Sequence, residues 1–481
     1  MFYEKNENSI NIDRNQLEMV ALDDLVPQDH LLRKIDAAIN LNFIHNLTRD
    51  LYSNTGRRCI DTVVLFKIVL LNFIYGNNSI RKTCEEAKVN MAYRWYLGLG
   101  ITAPIPNYST FSQNYIRKFG SSDIFEKIFN EILSRLIRHN FVDTSVIFVD
   151  GTHIKANANK HKRTKELVKE TTSKYQKELM NEINEFREIN GRDKYPSDDD
   201  DDHGDGLFKI DDETGEIVVK EDNDMVEKTV SSVDPESGMF AKGEHERQFA
   251  YVDQVACDRH GWILGFDVNP GNVHDSKAFL PFFENKLLNF NPSIICADAG
   301  YANGLIAHFV QSHNSQLLVP YTRPKGKDTE FGKDKFDYYF EIDQFMCPNH
   351  KMLVPWNITK AGNIEYKIHK SDCSACPHKD NCIKNYAFKT ITRHIYDDCM
   401  LLAKDLRLSD LGREIYSLRK QTIERVFAEG KERHGLRYSR FKGLKKNSNF
   451  RALLYACLNI KKLALLLYDW ANKYKLVNYG I

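Results

Sequence analysis

The chain has 481 residues, enough for two or three domains that each bury a core of ordinary size. Apolar residues make up 42% and charged residues 28%, which is typical of a soluble globular protein. The net charge is only +1, so overall charge is excluded as the basis for nucleic-acid binding, which would need local basic patches.

The sequence predicts neither export nor a membrane span. No basic start is followed by an apolar run, so we expect no signal peptide. Asn459, Lys461 and Lys462 interrupt the apolar run 454–468, which keeps it short of the roughly 18 residues of a membrane helix. The ten cysteines therefore indicate reduced thiols or a metal site in a cytosolic protein.

Residues 1–140 are predicted to be mostly helical. Residues 60–75 are apolar on all sides and predict a buried helix. Ser79 is suited to cap the next helix, and the residues from Tyr108 are suited to cap another over 111–118. Short helices with tight turns are compatible with a helix-turn-helix, and a plain helical bundle is the other interpretation.

Basic side chains on these helices are candidate DNA contacts. They would meet phosphates or bases, unless they are ordinary surface charges. These residues are Arg81, Lys82, Arg94, Arg117 and Lys118.

From residue 145 the pattern changes to alternating strands and helices. Strands are predicted over 145–150, 249–257, 262–268, 293–298 and 316–320. Residues 258–261 join a hairpin, and helices are predicted over 276–286 and 302–312. This order predicts a mixed α/β sheet. Helices resume over 409–435 and 450–475.

A charged insert at about residues 160–247 separates the first strand from the hairpin. Residues 163–189 predict a solvated helix pair. The acidic run 198–202 predicts a solvated loop rather than an ion site. Strands resume at residue 249, so the insert interrupts the α/β pattern without ending it.

Residues 336–390 form a second interruption, with four closely spaced cysteines. Cys373 and Cys376 form a C-x-x-C pair, and Cys347 and Cys382 would complete a tetrahedral Zn²⁺ site of four thiolates. The other interpretation is four free cysteines. The histidines that could replace a thiolate are His350, His369 and His378.

Three acidic residues in different settings are the candidate catalytic residues. Asp150 and Asp298 each end an apolar strand, and a glycine soon after each lets the backbone turn away. Glu424 lies in a later segment that predicts a helix. Carboxylates suit Mg²⁺ or Mn²⁺, and two such ions about 4 Å apart can catalyse phosphoryl transfer. The three acids therefore predict a two-metal site.

Aromatic and basic residues surround Glu424 in the sequence and could meet DNA phosphates. Tyr416, Arg419 and Lys420 precede it, and Lys431 follows two helical turns later. Further basic residues would guide the DNA backbone in a salt-sensitive way. They are Arg425, Arg433, Arg437, Arg440, Lys442, Lys445, Lys446 and Arg451.

The segments around the acids resemble the DDE transposases of bacterial insertion sequences. Residues 148–157 resemble the first-Asp motif of that family, and residues 296–301 resemble its Ala-Asp-x-Gly-Tyr motif. Residues 272–275, before a predicted helix, and the hairpin from residue 249 are also similar to this family. The resemblance covers nearly the whole chain.

The segment around Glu424 resembles the Tyr, Arg, Glu, Lys signature of the same family. Tyr416, Glu424 and Lys431 match it, whereas the spacing between Arg419 and Glu424 departs by one residue. Arg419 and Lys420 are therefore both candidates for the arginine role.

The resemblance implies an RNase H-like catalytic core and an endonuclease chemistry. Water would hydrolyse the phosphodiester at the transposon end, and the released 3′-hydroxyl would attack target DNA with the same two Mg²⁺ or Mn²⁺ ions. It also implies double-stranded DNA as the partner, both transposon ends and target. A homodimer in the DNA complex and a place at the bacterial nucleoid in the cytoplasm are further implications.

The pattern and the resemblance together predict the domain organisation. The predicted segments are a helical DNA-binding domain over 1–140, the first part of an RNase H-like α/β core over 141–335, the Cys-rich insertion over 336–390, and the C-terminal helical part of the core over 391–481.

Two other functions stay open at this point. One is a metal-dependent DNA nuclease that cuts without strand transfer. The other is a domesticated transposase that acts as a DNA-binding regulator. Asp150, Asp298 and Glu424 disfavour the regulator, because a protein that only binds DNA needs no set of metal-ligating acids.

Overall fold

The chain folds into two compact units. Unit 1 comprises Met1–Val142 and Val426–Ile481, and unit 2 comprises Asp143–Arg425. The computed structural model describes residues 17, 19–53, 55–56, 59–169, 174–195, 208–210, 217–219, 225–242, 246–321, 331–359, 362–383 and 387–474. The acidic run 198–202 lies outside the described residues.

The described residues contain sixteen α-helices. They are α1 (Leu31–Ala38), α2 (Phe43–Thr48), α3 (Thr62–Ile74), α4 (Ile80–Ala87), α5 (Met91–Leu97), α6 (Tyr108–Asn114), α7 (Ile124–Arg138), α8 (Lys174–Ile189), α9 (Asp275–Phe282), α10 (Gly304–Ser312), α11 (Lys370–Ser374), α12 (Lys379–Cys382), α13 (Asp397–Leu408), α14 (Asp410–Ser417), α15 (Ile423–Arg433) and α16 (Leu444–Tyr474). Among the helices that the structure describes, no segment combines the length and the apolar content that a membrane crossing requires.

The described strands all lie in unit 2. They are β1 (Val146–Lys155), β2 (Arg163–Lys169), β3 (Phe208–Ile210), β4 (Ile217–Val219), β5 (Met225–Ser231), β6 (Gly238–Lys242), β7 (Glu246–Asp258), β8 (Ile263–Pro270), β9 (Ile294–Cys296), β10 (Gln316–Leu318), β11 (Asp337–Tyr339), β12 (Gln344–Met346), β13 (Met352–Ile358), β14 (Asn363–Lys367) and β15 (Thr390–His394).

The core of unit 1 joins the N-terminal helices to the last helix of the chain. The predicted buried helix over 60–75 is confirmed as α3, which is apolar around its circumference and is capped by the Asp61 carboxylate. Residues 449–460 of α16 are all buried, and this helix packs against α1, α3 and α7. Unit 1 is therefore built from both ends of the sequence.

Side-chain caps define the short helices of unit 1. The Ser79 hydroxyl accepts a hydrogen bond from the Lys82 amide, which confirms the predicted start of α4. The predicted start of the helix at residue 111 is wrong, because the Asn107 side chain accepts a hydrogen bond from the Ser109 amide and α6 begins at Tyr108.

The central sheet of unit 2 is mixed, as predicted. Its strand order is β10-β9-β1-β7-β6, and β8 also pairs with β7. Strand β1 is parallel to β9 and antiparallel to β7. The hairpin predicted around residues 258–261 is confirmed as the β7–β8 pair. These pairings confirm an α/β fold for the predicted core segment.

Strand β1 is longer than the sequence pattern predicts. Its pairing with β7 runs from Ile147 to Lys155, so Asp150 lies in the middle of the strand rather than at its end. The apolar run stops at Val149, but β7 supplies backbone partners for the polar residues that follow. The prediction that the strand ends at Asp150 is wrong.

The second sheet of unit 2 has the order β11-β12-β13-β14-β15 and contains the segment of the four cysteines. We call this sheet, with α11 and α12, the cysteine module. Helix α8 packs against it, because Ile183 is fully buried in the apolar cluster of the module and Leu179, Met180 and Phe186 pack on that cluster. The prediction of a solvated helix pair over 163–189 is wrong at both ends. Residues 163–169 form β2, which pairs with β5, and the second half is a packed helix.

Candidate active site

Asp150 lies on β1, and Asp298 comes two residues after the parallel neighbouring strand β9. Phe148 on β1 pairs with Cys296 on β9, and each aspartate comes two residues after its member of this pair. Because side chains alternate along extended chain, both carboxylates leave the sheet on the same face. The sheet register therefore brings two of the three predicted acids to one place.

Both carboxylate oxygens of Asp150 have partners. Oδ1 accepts a hydrogen bond from the Gly151 amide at 2.9 Å, and Oδ2 accepts one from Arg419 Nη2 at 2.9 Å. Burial raises the pKa of Asp150 to about 6, against the opposing charge of Arg419 and with the further repulsion of Asp298. A nearby cation would therefore stabilise the charged form of the Asp150 carboxylate.

Arg419 and its neighbour Lys420 point to different surroundings. Arg419 is buried in the short 3-10 turn Leu418–Gln421, and it also donates to the Tyr416 hydroxyl at 3.4 Å. Lys420 is exposed to solvent. The sequence left these two residues as alternatives for one role, and the structure gives them different contacts.

A third aspartate, Asp275 at the start of α9, lies against the glycines that follow the two predicted acids. A Cβ on Gly151 would lie 2.6 Å from Asp275 Oδ1, and one on Gly300 would lie 3.4 Å from Asp275 Oδ2 and 3.1 Å from Asp298 Oδ1. Burial, and next the charge of Asp298, raise the pKa of Asp275. Strand β1 continues through Gly151, so the idea that this glycine turns the backbone away is wrong. Its role is to leave room for a carboxylate.

Gln254 is a further member of this site that sequence reasoning missed. It lies opposite Gly151 on β7 and is fully buried. Its Nε2 donates to the Asp275 carbonyl oxygen at 2.9 Å and to the Tyr301 hydroxyl at 3.4 Å. The available signal was a glutamine inside an apolar strand, because a buried amide needs partners and so marks a polar site.

Glu424 is not joined to the two aspartates by any contact in the structure. It lies in the first turn of α15 and is exposed. Over the described part of the chain, no group of three or more His, Cys, Asp or Glu side chains has the arrangement of a metal site. Asp150 and Asp298 thus lie near Asp275, and none of the described contacts joins these three to Glu424.

The predicted basic residues divide into exposed and internal ones. Arg81 and Lys82 have side chains 64% and 54% exposed and form i,i+4 ion pairs with Glu85 and Glu86. The DNA contact considered for Arg94 is wrong, because this residue is buried and its guanidinium donates to three backbone carbonyl oxygens.

The basic segment after Glu424 divides in the same way. Arg440 donates to Asn72 Oδ1 at 3.0 Å and so joins two segments of unit 1, and Arg451 is buried. Lys431 is half-buried on α15. The exposed basic residues of the segment are Arg425, Arg433, Arg437, Lys442 and Lys445.

Two protein families match parts of the chain. Residues 20–117 match the family described as Transposase domain (DUF772), and residues 346–464 match the family described as Transposase DDE domain. Together, these two matches support an insertion-sequence DDE transposase. No curated protein and no solved structure matches it.

The DDE transposase family implies a DNA substrate and, in general, the use of divalent metal ions. The matched ranges include Glu424 and the four cysteines but neither Asp150 nor Asp298. The assignment of the two aspartates in this transposase therefore depends on the sheet geometry.

Proposed function

We propose that this transposase cuts DNA at the ends of its insertion sequence and joins the cut ends to target DNA. The observation that carries the proposal is the parallel pairing of β1 with β9, which sets Asp150 beside Asp298. An RNase H-like core is supported by the strand order β8-β7-β1-β9-β10, with an antiparallel hairpin on one side of β1 and parallel strands on the other.

The donor set fits hard divalent cations. Asp150, Asp298 and Glu424 are carboxylates, the ligands that Mg²⁺ and Mn²⁺ prefer. Asp150 and Asp298 repel each other in a half-buried site, and a cation would relieve this repulsion. Bound divalent ions would supply Lewis acidity to the attacking and leaving oxygens. Glu424 would reach the site through its position on α15.

The proposed reaction has two phosphoryl transfers. In the first, water attacks the phosphorus at the element end, the P–O3′ bond breaks, and the 3′-hydroxyl leaves with a proton from solvent. In the second, this hydroxyl attacks a target phosphodiester, a new P–O3′ bond forms, and the target 3′-oxygen leaves. Positioning and charge neutralisation by the protein would account for most of the catalysis.

Several residues of the chain would serve this reaction without touching the metals. Arg419 would fix the orientation of the Asp150 carboxylate. Tyr416 and Lys420 would bind phosphates near the reacting bond. The residues of unit 1 that would bind DNA backbone are Lys431, Arg433, Arg437 and Lys442. Arg440 is also predicted as a DNA contact, but it donates a hydrogen bond to Asn72 and would contribute less to DNA binding.

Helices α4 and α5 would recognise the element ends as a helix-turn-helix, with Arg81 and Lys82 on the DNA side. Three residues join these helices, a length that this motif allows. The predicted domains over 1–140, 141–335, 336–390 and 391–481 stay proposals. A homodimer that holds two ends at the nucleoid is the assembly that this reaction would use.

Asp150→Ala, Asp298→Ala and Glu424→Ala should each abolish cleavage of end-containing DNA while they leave end binding unchanged. The metal ligands act only in the chemical step, whereas Arg81→Ala with Lys82→Ala should weaken end binding. The control is Asp410→Ala, which removes a fully exposed acid of unit 2.

Analysis of the DNA products separates the proposal from its rivals. Joined end–target products support transposition, and cleavage without joining would indicate the nuclease. Full cleavage by any of the three acid variants would contradict the assignment of the site, and binding without any cleavage by the native chain would favour the regulator.

A further inference from the structure

Four cysteines of the cysteine module surround one small cavity. Cys347 comes from the turn between β12 and β13, Cys373 and Cys376 from α11 and the residues after it, and Cys382 from the end of α12. The cavity has a volume of about 30 Å³. It therefore has room for a small ion.

Thiols rather than imidazoles define this cavity. All four cysteines line it, whereas His350 and His369 do not. His378 lines it too, but its ring packs against Phe331 at 5.3 Å between centroids. The geometry thus selects the four thiols from the ligands that the sequence left open.

Backbone amides point at two of the sulfur atoms. The Lys351 amide donates to Cys347 Sγ at 3.4 Å, across a tight turn in which His350 has a φ of 52°. The Lys389 amide hydrogen-bonds Cys373, and the Lys389 ammonium donates to the carbonyl oxygen of Cys382. Hydrogen bonds of this kind orient the ligands of a metal site.

The segments that carry the cysteines have little regular structure of their own. Helices α11 and α12 have five and four residues, which is too short for either to be stable alone. Among the four cysteines, only Cys373 is a buried member of the apolar cluster of the module. A cross-link at the cavity would join α11 and α12 to the β12–β13 turn.

We propose that Cys347, Cys373, Cys376 and Cys382 bind one structural Zn²⁺ ion in this transposase. Four thiolates are a complete ligand set for a closed tetrahedral zinc site. Rotation of the side chains into the cavity would bring the sulfur atoms to about 2.3 Å from the metal. The site is separate from the carboxylates of the proposed reaction and does not depend on that reaction.

Metal analysis of the purified full-length chain tests the proposal. We expect about one zinc per chain, released by a thiol-reactive mercurial, and no exchange of this zinc for Mg²⁺. Cys376→Ser and Cys382→Ser should each lower the zinc content at least fivefold. Cys59→Ser is the matched control, because it removes an exposed thiol of unit 1 and should leave the zinc content unchanged.

Cobalt substitution gives a second readout if the serine variants fail to fold. The chain with Co²⁺ in place of zinc should show thiolate-to-cobalt charge transfer and the visible bands of a tetrahedral site. The Asp150→Ala chain should bind the same amount of zinc. The zinc measurement therefore tests this proposal even if the proposed DNA cleavage is wrong. Folded chain from zinc-supplemented growth that holds no zinc and gives no cobalt bands would overturn the proposal.

Discussion

Arg419 and Lys420 are adjacent basic residues, and only Arg419 makes a buried contact with Asp150. Arg419 gives one nitrogen to Asp150 and another to Tyr416, and its side chain is only 9% exposed. Lys420 follows it directly and faces solvent. We propose that Arg419 orients the Asp150 carboxylate and that Lys420 meets DNA.

We predict different effects for the two substitutions. Arg419→Gln should destabilise unit 2 by about 3 kcal/mol, because removing one partner leaves the Asp150 charge buried without compensation. Lys420→Gln should change stability by less than about 0.5 kcal/mol and should lower the slope of log affinity against log salt by about one. Urea unfolding and DNA binding at several salt concentrations measure these effects.

Arg419→Lys is the matched variant for the buried pair, since it keeps the charge but loses the planar guanidinium. It should recover part of the stability and a smaller part of the cleavage rate. Equal losses of DNA affinity in the Arg419 and Lys420 variants would contradict the division of roles.

At single positions, the sequence pointed to candidate side chains but not to their contacts. Asp150 and Asp298 could be predicted because an apolar strand delivers each one. Gln254 and the packing of Asp275 against Gly151 could not be predicted, because these contacts depend on the register of β7 and on the start of α9. In a sequence, a glycine that follows an acid looks the same whether it forms a turn or leaves room for a packed carboxylate.

Helix α8 shows how an element can belong to a sheet that is distant in sequence. Its apolar residues follow helical spacing, and Ile183 is fully buried against the cysteine module. The neighbouring segment is rich in Lys and Glu, so the apolar stripe is narrow and composition alone indicates a solvated helix. The spacing of residues, rather than their average polarity, carried the correct information.

We predict that Ile183→Ala will cost unit 2 about 2–4 kcal/mol, because it leaves a cavity between α8 and the cysteine module. Ile189→Ala is the matched control on the same helix, where the side chain is 77% exposed, and it should be nearly silent. Hydrogen exchange at β13 and β14 should accelerate only in the first variant. Equal effects of the two variants would refute this packing.

Strands β11–β15 were the elements that the sequence did not predict. Burial alternates along β14 and β15 but not along β13, and Trp356 and Tyr339 stay exposed. Short strands rich in charged and aromatic residues lack a clear period of two, so their pairing partners decide their structure. The longer apolar helices α3 and α16, by contrast, were predicted from their own residues.

The division into units shows that the N-terminal helices depend on the C-terminus. Helix α16 fills the space beside α1, α3 and α7, and Phe450 contacts the rings of Phe111, Tyr115 and Phe125. The N-terminal helices therefore share their apolar core with a segment more than 300 residues later in the chain.

We predict that Met1–Val142 expressed alone will not unfold cooperatively, because the faces that α16 covers would be exposed. Joining it to Val426–Ile481 by a flexible linker should restore a cooperative thermal transition and helical circular dichroism. Asp143–Arg425 is continuous in sequence and should fold without either segment. Cooperative unfolding of the first fragment alone would contradict this prediction.

Sequence reasoning placed a boundary near residue 140 but none near residue 425. The first boundary coincides with a change from helical to alternating patterns. The second lies inside α15, where the helical period continues without a break. A discontinuous unit leaves no local signal at its second junction, because only contacts in space define it.

The packing of α8 on the cysteine module has a consequence for synthesis on the ribosome. About 200 residues separate Ile183 from Ile391, which lie in the same apolar cluster, and ribosomes add roughly 5–20 residues per second. The apolar stripe of α8 therefore waits roughly 10–40 s for its partner strands to emerge. During that interval the apolar face of α8 would be open to chaperones, and slower translation of the intervening segment would lengthen its exposure.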